Sequence, residues 1–413
     1  MGNFVAIHLL KGYNPGTFNR GENGEAKQII VGGVNRARFS SQCQKRAIRE
    51  MMACEEIRSS HIENLIANCL DLMVNNETIT EEEKDVIGYS ICNKAIIGID
   101  DNLWESLMGR YDKKINRVVV NTNASEIDAL VNTFVQYVRE NGTKALVDDK
   151  KTHKLAKQIA STSSLNDIKM SVTKALFGNM ATDGIFGTVD GALQMGQAYS
   201  VDRFMPEADI FTVKFTGRSG ADKSDPFFGA YETFNTDETK RAGAETFNQG
   251  LSLNSNLMYS YANINIKEFK KNLDTFIVSR DYAPSEDTNN ILIATVTDFI
   301  KAMIRMTPEA TQNRSASYVE PTMVLIEIIK DDTNIQPDWT KVITNNGNEI
   351  AEQAIERMSN FANNKTFRAG TVKQYIMFGS EYGQFADKFI DATQINNFNE
   401  LSDIIKNEVT PLI

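Results

Sequence analysis

Near the start of the chain, Val5, Ile7 and Leu9 alternate with Phe4, Ala6, His8 and Leu10. Period-two spacing of this kind predicts a strand over 3–10, with one set on each face. Residues 11–35 follow as a loop rich in Gly and Asn, and 35–39 read as a short extended piece that puts Arg36 and Arg38 on one side. A helix is predicted next. Ser41 with Gln44 three residues on forms a capping-box signal; Gln42, Lys45 and Arg49 share one face, and Ile48, Met51 and Met52 another that should meet the core.

Residues 56–178 read as mostly helical. Thr80 with Glu83 marks one start. Ser125 with Asp128 marks another, continued by Ile127, Leu130, Val131, Phe134, Val135 and Val138 up to Gly142. Ser164 with Asp167 marks a third. Strand patterns return at 192–201, 257–266 and 322–329, the last following Pro321. Between the first two lies 205–256, long for a connection, with little periodicity but seven aromatics: Phe211, Phe215, Phe227, Phe228, Tyr231, Phe234 and Phe247. Those rings argue for an excursion that orders against a partner. The tail after 335 reads as helical, with Ile350, Ala354, Ile355, Met358 and Phe361 on one face. The pattern is α+β: a sheet gathered from distant segments, with a helical insertion and a long protruding loop. A ferredoxin-like or RRM-like sheet is the natural small candidate.

Charge sharpens the picture at one place. The 413 residues carry a formal −10, yet 27–49 hold six basic residues (Lys27, Arg36, Arg38, Lys45, Arg46, Arg49) and no acid, leaving −16 for the rest. Cations gathered at a helix start suit phosphate, because the first N–H groups of a helix are unpaired and its dipole is positive there. Ser40, Ser41 and Gln42 add hydrogen-bond donors. On composition alone the same residues fit a solvated helix face with Arg36 and Arg38 in ordinary salt bridges. The turn Phe177-Gly178-Asn179-Met180-Ala181-Thr182-Asp183-Gly184 could present Met180 as a wedge between bases. Met180 equally fits a core gap.

Other chemistry is thin. Three histidines (His8, His61, His153) and four cysteines without a C-x-x-C pair make a structural zinc site unexpected, and no cofactor is predicted. There is no phosphate-binding Walker loop, no G-x-S-x-G and no H-E-x-x-H, and the first Asp is Asp71. The RNP1 signature is absent, and Tyr259 and Tyr261 are expected in the core. The apolar N-terminal run is too short to span a membrane and lacks the marks of an export signal, so a cytoplasmic protein is expected.

The order G-G-x-x-R-x-R-x-S-S-Q-x-x-K-R-A at 32–47 resembles the CasC family, the backbone subunit of the type I-E CRISPR Cascade complex. The M-x-N-F-x-x-I-H start, Asn19-Arg20, A-L-F-G-N-M-A-T at 175–182, D-G-A at 190–192 and Y-A-N-I-N at 261–265 extend the resemblance over roughly 1–270 in order. It implies a modified RRM fold: a palm (1–55, 179–204 and 257–335), a helical fingers domain (56–178), a thumb loop (205–256) and an unmatched helical C-terminal region (336–413). It implies stacked copies along a CRISPR guide RNA, with other Cascade subunits as partners, bases left to pair with target DNA, and cleavage done elsewhere. Carried over, Arg20, Ser40, Gln42, Lys45 and Arg49 match positions that contact guide-RNA phosphates, and Met180 one that wedges at a kink. Val34 and Asn35 depart from positions often basic in the family. The early catalytic Asp of RNA-cutting relatives is missing.

Overall fold

A computed structural model of the chain describes residues 2–21, 25–52, 57–59, 62–95, 102–111, 113, 120–122, 124–147, 152–160, 171–179, 188–205, 207–214, 244–278, 286–308, 316–345 and 349–413. The strands are β1 (Gly2–Lys11), β2 (Gln28–Val31), β3 (Val34–Phe39), β4 (Ile57–Ser59), β5 (Val120–Thr122), β6 (Leu193–Met195), β7 (Ala198–Ser200), β8 (Glu207–Lys214), β9 (Ala244–Leu253), β10 (Met258–Asn265), β11 (Met323–Asp332), β12 (Thr371–Phe378) and β13 (Ala392–Gln394). Nine of them form one mixed sheet in the order β13-β12-β11-β1-β10-β7-β3-β2, with β6 also on β10. Every pairing in it is antiparallel except β12 with β13.

The described helices are α1 (Ser41–Met51), α2 (Ile62–Asn75), α3 (Glu81–Tyr89), α4 (Leu103–Leu107), α5 (Ala124–Asn141), α6 (Lys144–Val147), α7 (Thr152–Ala160), α8 (Val172–Phe177), α9 (Ile266–Val278), α10 (Glu286–Arg305), α11 (Ile350–Asn363) and α12 (Phe398–Val409). The alternation in β1 sorts as its sequence predicts. Val5, Ile7 and Leu9 join a core with α9, α10 and α12, whereas Ala6 and Leu10 join a second core under α11. One strand thus seeds both faces, each fully buried large apolar side chain contributing about 1.5–3 kcal/mol. A third core draws only on residues 62–159, with Trp104 and Phe134 fully buried in it.

Several expectations hold. Thr80 and Glu83 form the capping box of α3. Gly142, at φ +79°, stops α5. Tyr259 and Tyr261 are buried on one face of β10. Others are corrected. The predicted loop 11–35 contains β2, because Val31-Gly32-Gly33-Val34 is a two-residue hairpin whose glycines sit at φ +58° and +77°. The predicted strand over 192–201 breaks at Gly196 into β6 and β7. The 205–256 excursion carries an antiparallel ribbon, β8 with β9, whose alternation was hidden by Asp, Asn and Thr; 215–243 lie outside the described residues. The tail is not purely helical: β12 and β13 extend the main sheet at one edge. The helix start read at Ser164 lies outside the described residues, and Ser171 caps α8.

Two buried polar clusters brace this frame. The Glu327 carboxylate on β11 meets His8 Nε2 (3.2 Å) and accepts from Gln374 (2.8 Å) and from the Arg368 guanidinium. Burial alone would raise Glu327; the His8 hydrogen bond and charge, with Arg368 and Gln374, outweigh it and hold the carboxyl at about 2. Lys174 of α8 pairs with Glu126 of α5, both fully buried, and Thr122 Oγ1 donates to the same carboxylate at 3.0 Å. Lys11 caps the end of α10, donating to the carbonyls of Ile304 (3.2 Å) and Met306 (3.0 Å), and burial lowers its amine to about 8.

Candidate nucleic-acid interface

The basic segment folds as a hairpin, β2–β3, running straight into α1. The N-cap is Ser40, one residue earlier than predicted. Ser40 sits in extended geometry, and its Oγ accepts from Cys43 N–H at 3.2 Å. Gln44, expected to complete a box with Ser41, is instead fully buried. Its amide donates to the carbonyl of Gly196 at 3.1 Å, where the broken strand leaves that group off the ladder. The first turn of α1 holds no acid, so the helix dipole there is unopposed from within the turn.

The neighbouring loop is pinned to this end. Ser40 N–H donates to Asn19 Oδ1 at 2.8 Å. Arg20 pairs with Ala26 by a backbone bridge, and Arg38 N–H donates to the carbonyl of Lys27 at 2.9 Å. Arg20, Lys27, Arg38 and the start of α1 are therefore tied into one neighbourhood by backbone bonds and by the Asn19 side chain. Under them lies a small apolar core of Tyr13, Phe18, Ala26, Ala37, Phe39, Ala198, Phe204 and Met258.

Exposure divides the predicted site residues. Arg20, Gln42 and Arg46 are exposed; Lys27, Arg38, Ser40, Lys45 and Arg49 are half-buried. Arg46 Nε pairs with Glu50 at 2.8 Å, one turn along the exposed face of α1. The Arg49 guanidinium lies 5.3 Å from the centre of the Phe177 ring. Phe177 ends α8 and leads into Gly178-Asn179, so the basic helix meets the end of α8, distant in sequence, in space. Met180 itself lies outside the described residues. On the far face of α1, Ile48 is buried as expected and Met52 packs at the core's edge, but Met51 is 45% exposed.

Arg36 is a correction. Two-residue alternation put it beside Arg38, but its side chain is fully buried. It donates to the carbonyls of Ser200 (2.8 Å) and Trp339 (3.3 Å). Burial lowers its pKa, against the pull of Asp202 and Tyr199. Next to it, Ala37 N–H donates to Ser200 Oγ (3.1 Å), so Ser200 holds this stretch of β3 through both its carbonyl and its hydroxyl. Arg36 therefore bolts the hairpin to the sheet and has no surface to offer a ligand.

Sequence reasoning missed Asn19 Oδ1 as the acceptor that fixes the helix entry, and the segment around Thr340 as the support of the hairpin tip. A Cβ on Gly32 would stand 1.8 Å from the Thr340 carbonyl oxygen. The signal for the tip was present as the Gly-Gly pair between apolar runs. Among the described residues no His, Cys, Asp and Glu cluster could hold a metal ion, and no helix is long and apolar enough to cross a membrane.

The chain matches the family model of CT1975-like proteins over residues 5–404. No curated protein matches it by sequence. Among solved structures it is similar to a chain of a "CRISPR RNA-guided surveillance complex, pre-nicking", with TM-score 0.68, 16% identity, and 99% of this chain and 100% of that one covered. It is also similar to a chain of a "CRISPR RNA-guided surveillance complex", with TM-score 0.64, 16% identity, and 98% and 99% covered. The family resemblance read from residues 32–47 and their companions agrees with these matches: a family model covers most of the chain, and the fold is similar to that of chains from CRISPR surveillance complexes. Matched along nearly its whole length, the chain belongs to the CT1975-like protein family.

Proposed function

We propose that this chain is a non-catalytic backbone subunit of a type I-E-like CRISPR surveillance complex. It binds guide RNA by its sugar-phosphate strand in stacked copies, beside other Cascade subunits, and leaves bases to pair with target DNA. Its place is the cytoplasm. The observation that carries the reading is the acid-free, capped start of α1, flanked by Arg20, Lys27 and Arg38 and continued along the helix by Gln42, Lys45 and Arg49. Donors and cations there meet a phosphate backbone without reading bases. Arg46, on the more exposed face with Glu50, is a weaker member of the set. Met180 serves as the wedge, three residues along the chain from the Phe177 that Arg49 covers.

The order β11-β1-β10 with β6 and β7 beyond supports an RRM-like palm, since α1 and α9–α10 lie in its two crossovers. The helical core within 62–159 then serves as fingers, the β8–β9 ribbon as the base of the thumb, and 336–413 as a palm extension. Binding of unrelated single-stranded RNAs by Lys45→Glu/Arg49→Glu protein tests the reading: affinity should fall alike for all of them. Cleavage of a guide-matched RNA at regular intervals with a divalent metal would overturn the non-catalytic assignment.

A further inference from the structure

We infer that Asn19 is a positioning residue for the phosphate-binding end of α1; this rests on the reading above. Asn19 is one of four non-glycine residues with positive φ among the described residues, at φ 45°. Asn tolerates that region better than most residues. The conformation turns its side chain onto the chain's other arm, where Oδ1 accepts from Ser40 N–H at 2.8 Å. Because the partner is a backbone N–H, the geometry assigns the oxygen and not the amide nitrogen to this contact.

Ser40 is the hinge of the site: its N–H is held by Asn19 while its Oγ holds Cys43 N–H at 3.2 Å. The two contacts bracket the cap and set where the first N–H groups of α1 point. One residue before each partner, Phe18 and Phe39 meet at 5.5 Å between ring centres, and both are fully buried. A packed pair and a hydrogen bond thus zip the 16–20 loop to the helix entry. The loop's other end is bonded to the root of the β8–β9 ribbon, with Gly16 and Asn254 exchanging backbone bonds at 3.1 and 2.8 Å. Asn19 is half-buried and Arg20, the next residue, is exposed, so the same turn that caps the helix also delivers a cation beside it. The side chain need not touch the ligand to matter. It fixes Ser40 directly, and its turn carries Arg20 beside the helix start.

Three variants of the purified full chain separate the possibilities: Asn19→Ala, Asn19→Gly and Lys45→Glu/Arg49→Glu. Each is titrated with a labelled, unstructured single-stranded RNA over a range of salt, with circular dichroism confirming the fold. Asn19→Gly keeps the backbone conformation and loses the acceptor. Both Asn19 variants are expected to bind about five- to tenfold more weakly, matching one lost hydrogen bond. Their log–log salt slopes should be shallower by about 0.7, one phosphate contact on a single strand. The Ser40 amide should exchange faster. Wild-type affinity and slope in Asn19→Gly would overturn the inference, as would weaker binding at an unchanged slope, which a merely structural role would give. If Lys45→Glu/Arg49→Glu also binds like wild type, the phosphate-binding reading itself fails; if it alone loses binding, only the role of Asn19 does.

Discussion

Replacing Lys174 by Met removes the cation from a fully buried pair while roughly keeping its volume. Glu126 then remains in the interior between α5 and α8, with Thr122 Oγ1 still donating at 3.0 Å. A neutral donor does not replace a charge, so the loss is expected at about 3–5 kcal/mol. Substituting both partners, Lys174→Met with Glu126→Leu, removes the stranded charge and should recover all but about 1 kcal/mol. Urea midpoints of wild type, both single variants and the double give the coupling energy, and hydrogen exchange in α5 and α8 locates the loosening. The consequence reaches the candidate site because α8 leads directly into Phe177 and Gly178. A coupling below about 0.5 kcal/mol, the scatter of independent sites, would refute the argument.

The Glu327 cluster gives a pH prediction. Its carboxyl is held at about 2 in the fold against an ordinary 4.5, so it contributes stability above about pH 4.5 that is lost as pH falls toward 2. The contribution is on the order of 3 kcal/mol, and melting curves of wild type and Glu327→Gln should converge over that window. At the hairpin tip, Gly32→Ala meets both a positive φ and the Thr340 carbonyl, whereas Gly33→Ala at φ +77° meets open space. The first should cost roughly 2 kcal/mol or more and the second about 1 kcal/mol, read as a difference in melting temperature.

Much of the frame was legible because it follows from period and caps. β1 sorted its two faces correctly because the apolar alternation from Phe4 to Leu10 is interrupted only by His8, which finds Tyr259 and Glu327 inside. The α3 box and the Gly142 stop are local chemistry. What failed depends on tertiary bonds. Arg36 reads as a surface cation until Ser200 and Trp339 supply carbonyls to it. Ser41 loses the cap to Ser40 because Asn19, twenty-one residues away, holds the Ser40 amide. Gln44 is drawn inward by a carbonyl that only a broken strand exposes. The strands of the tail, TVKQYIMF among them, lacked clean alternation, because Tyr375 and Ile376 are buried in succession on opposite faces of the sheet.

The salt dependence of RNA binding tests the central claim most directly. If the start of α1 grips phosphates, Lys45→Glu/Arg49→Glu should make the slope of log affinity against log salt shallower by about 1.4, two contacts on a single strand. An unchanged slope in a folded protein would contradict the account.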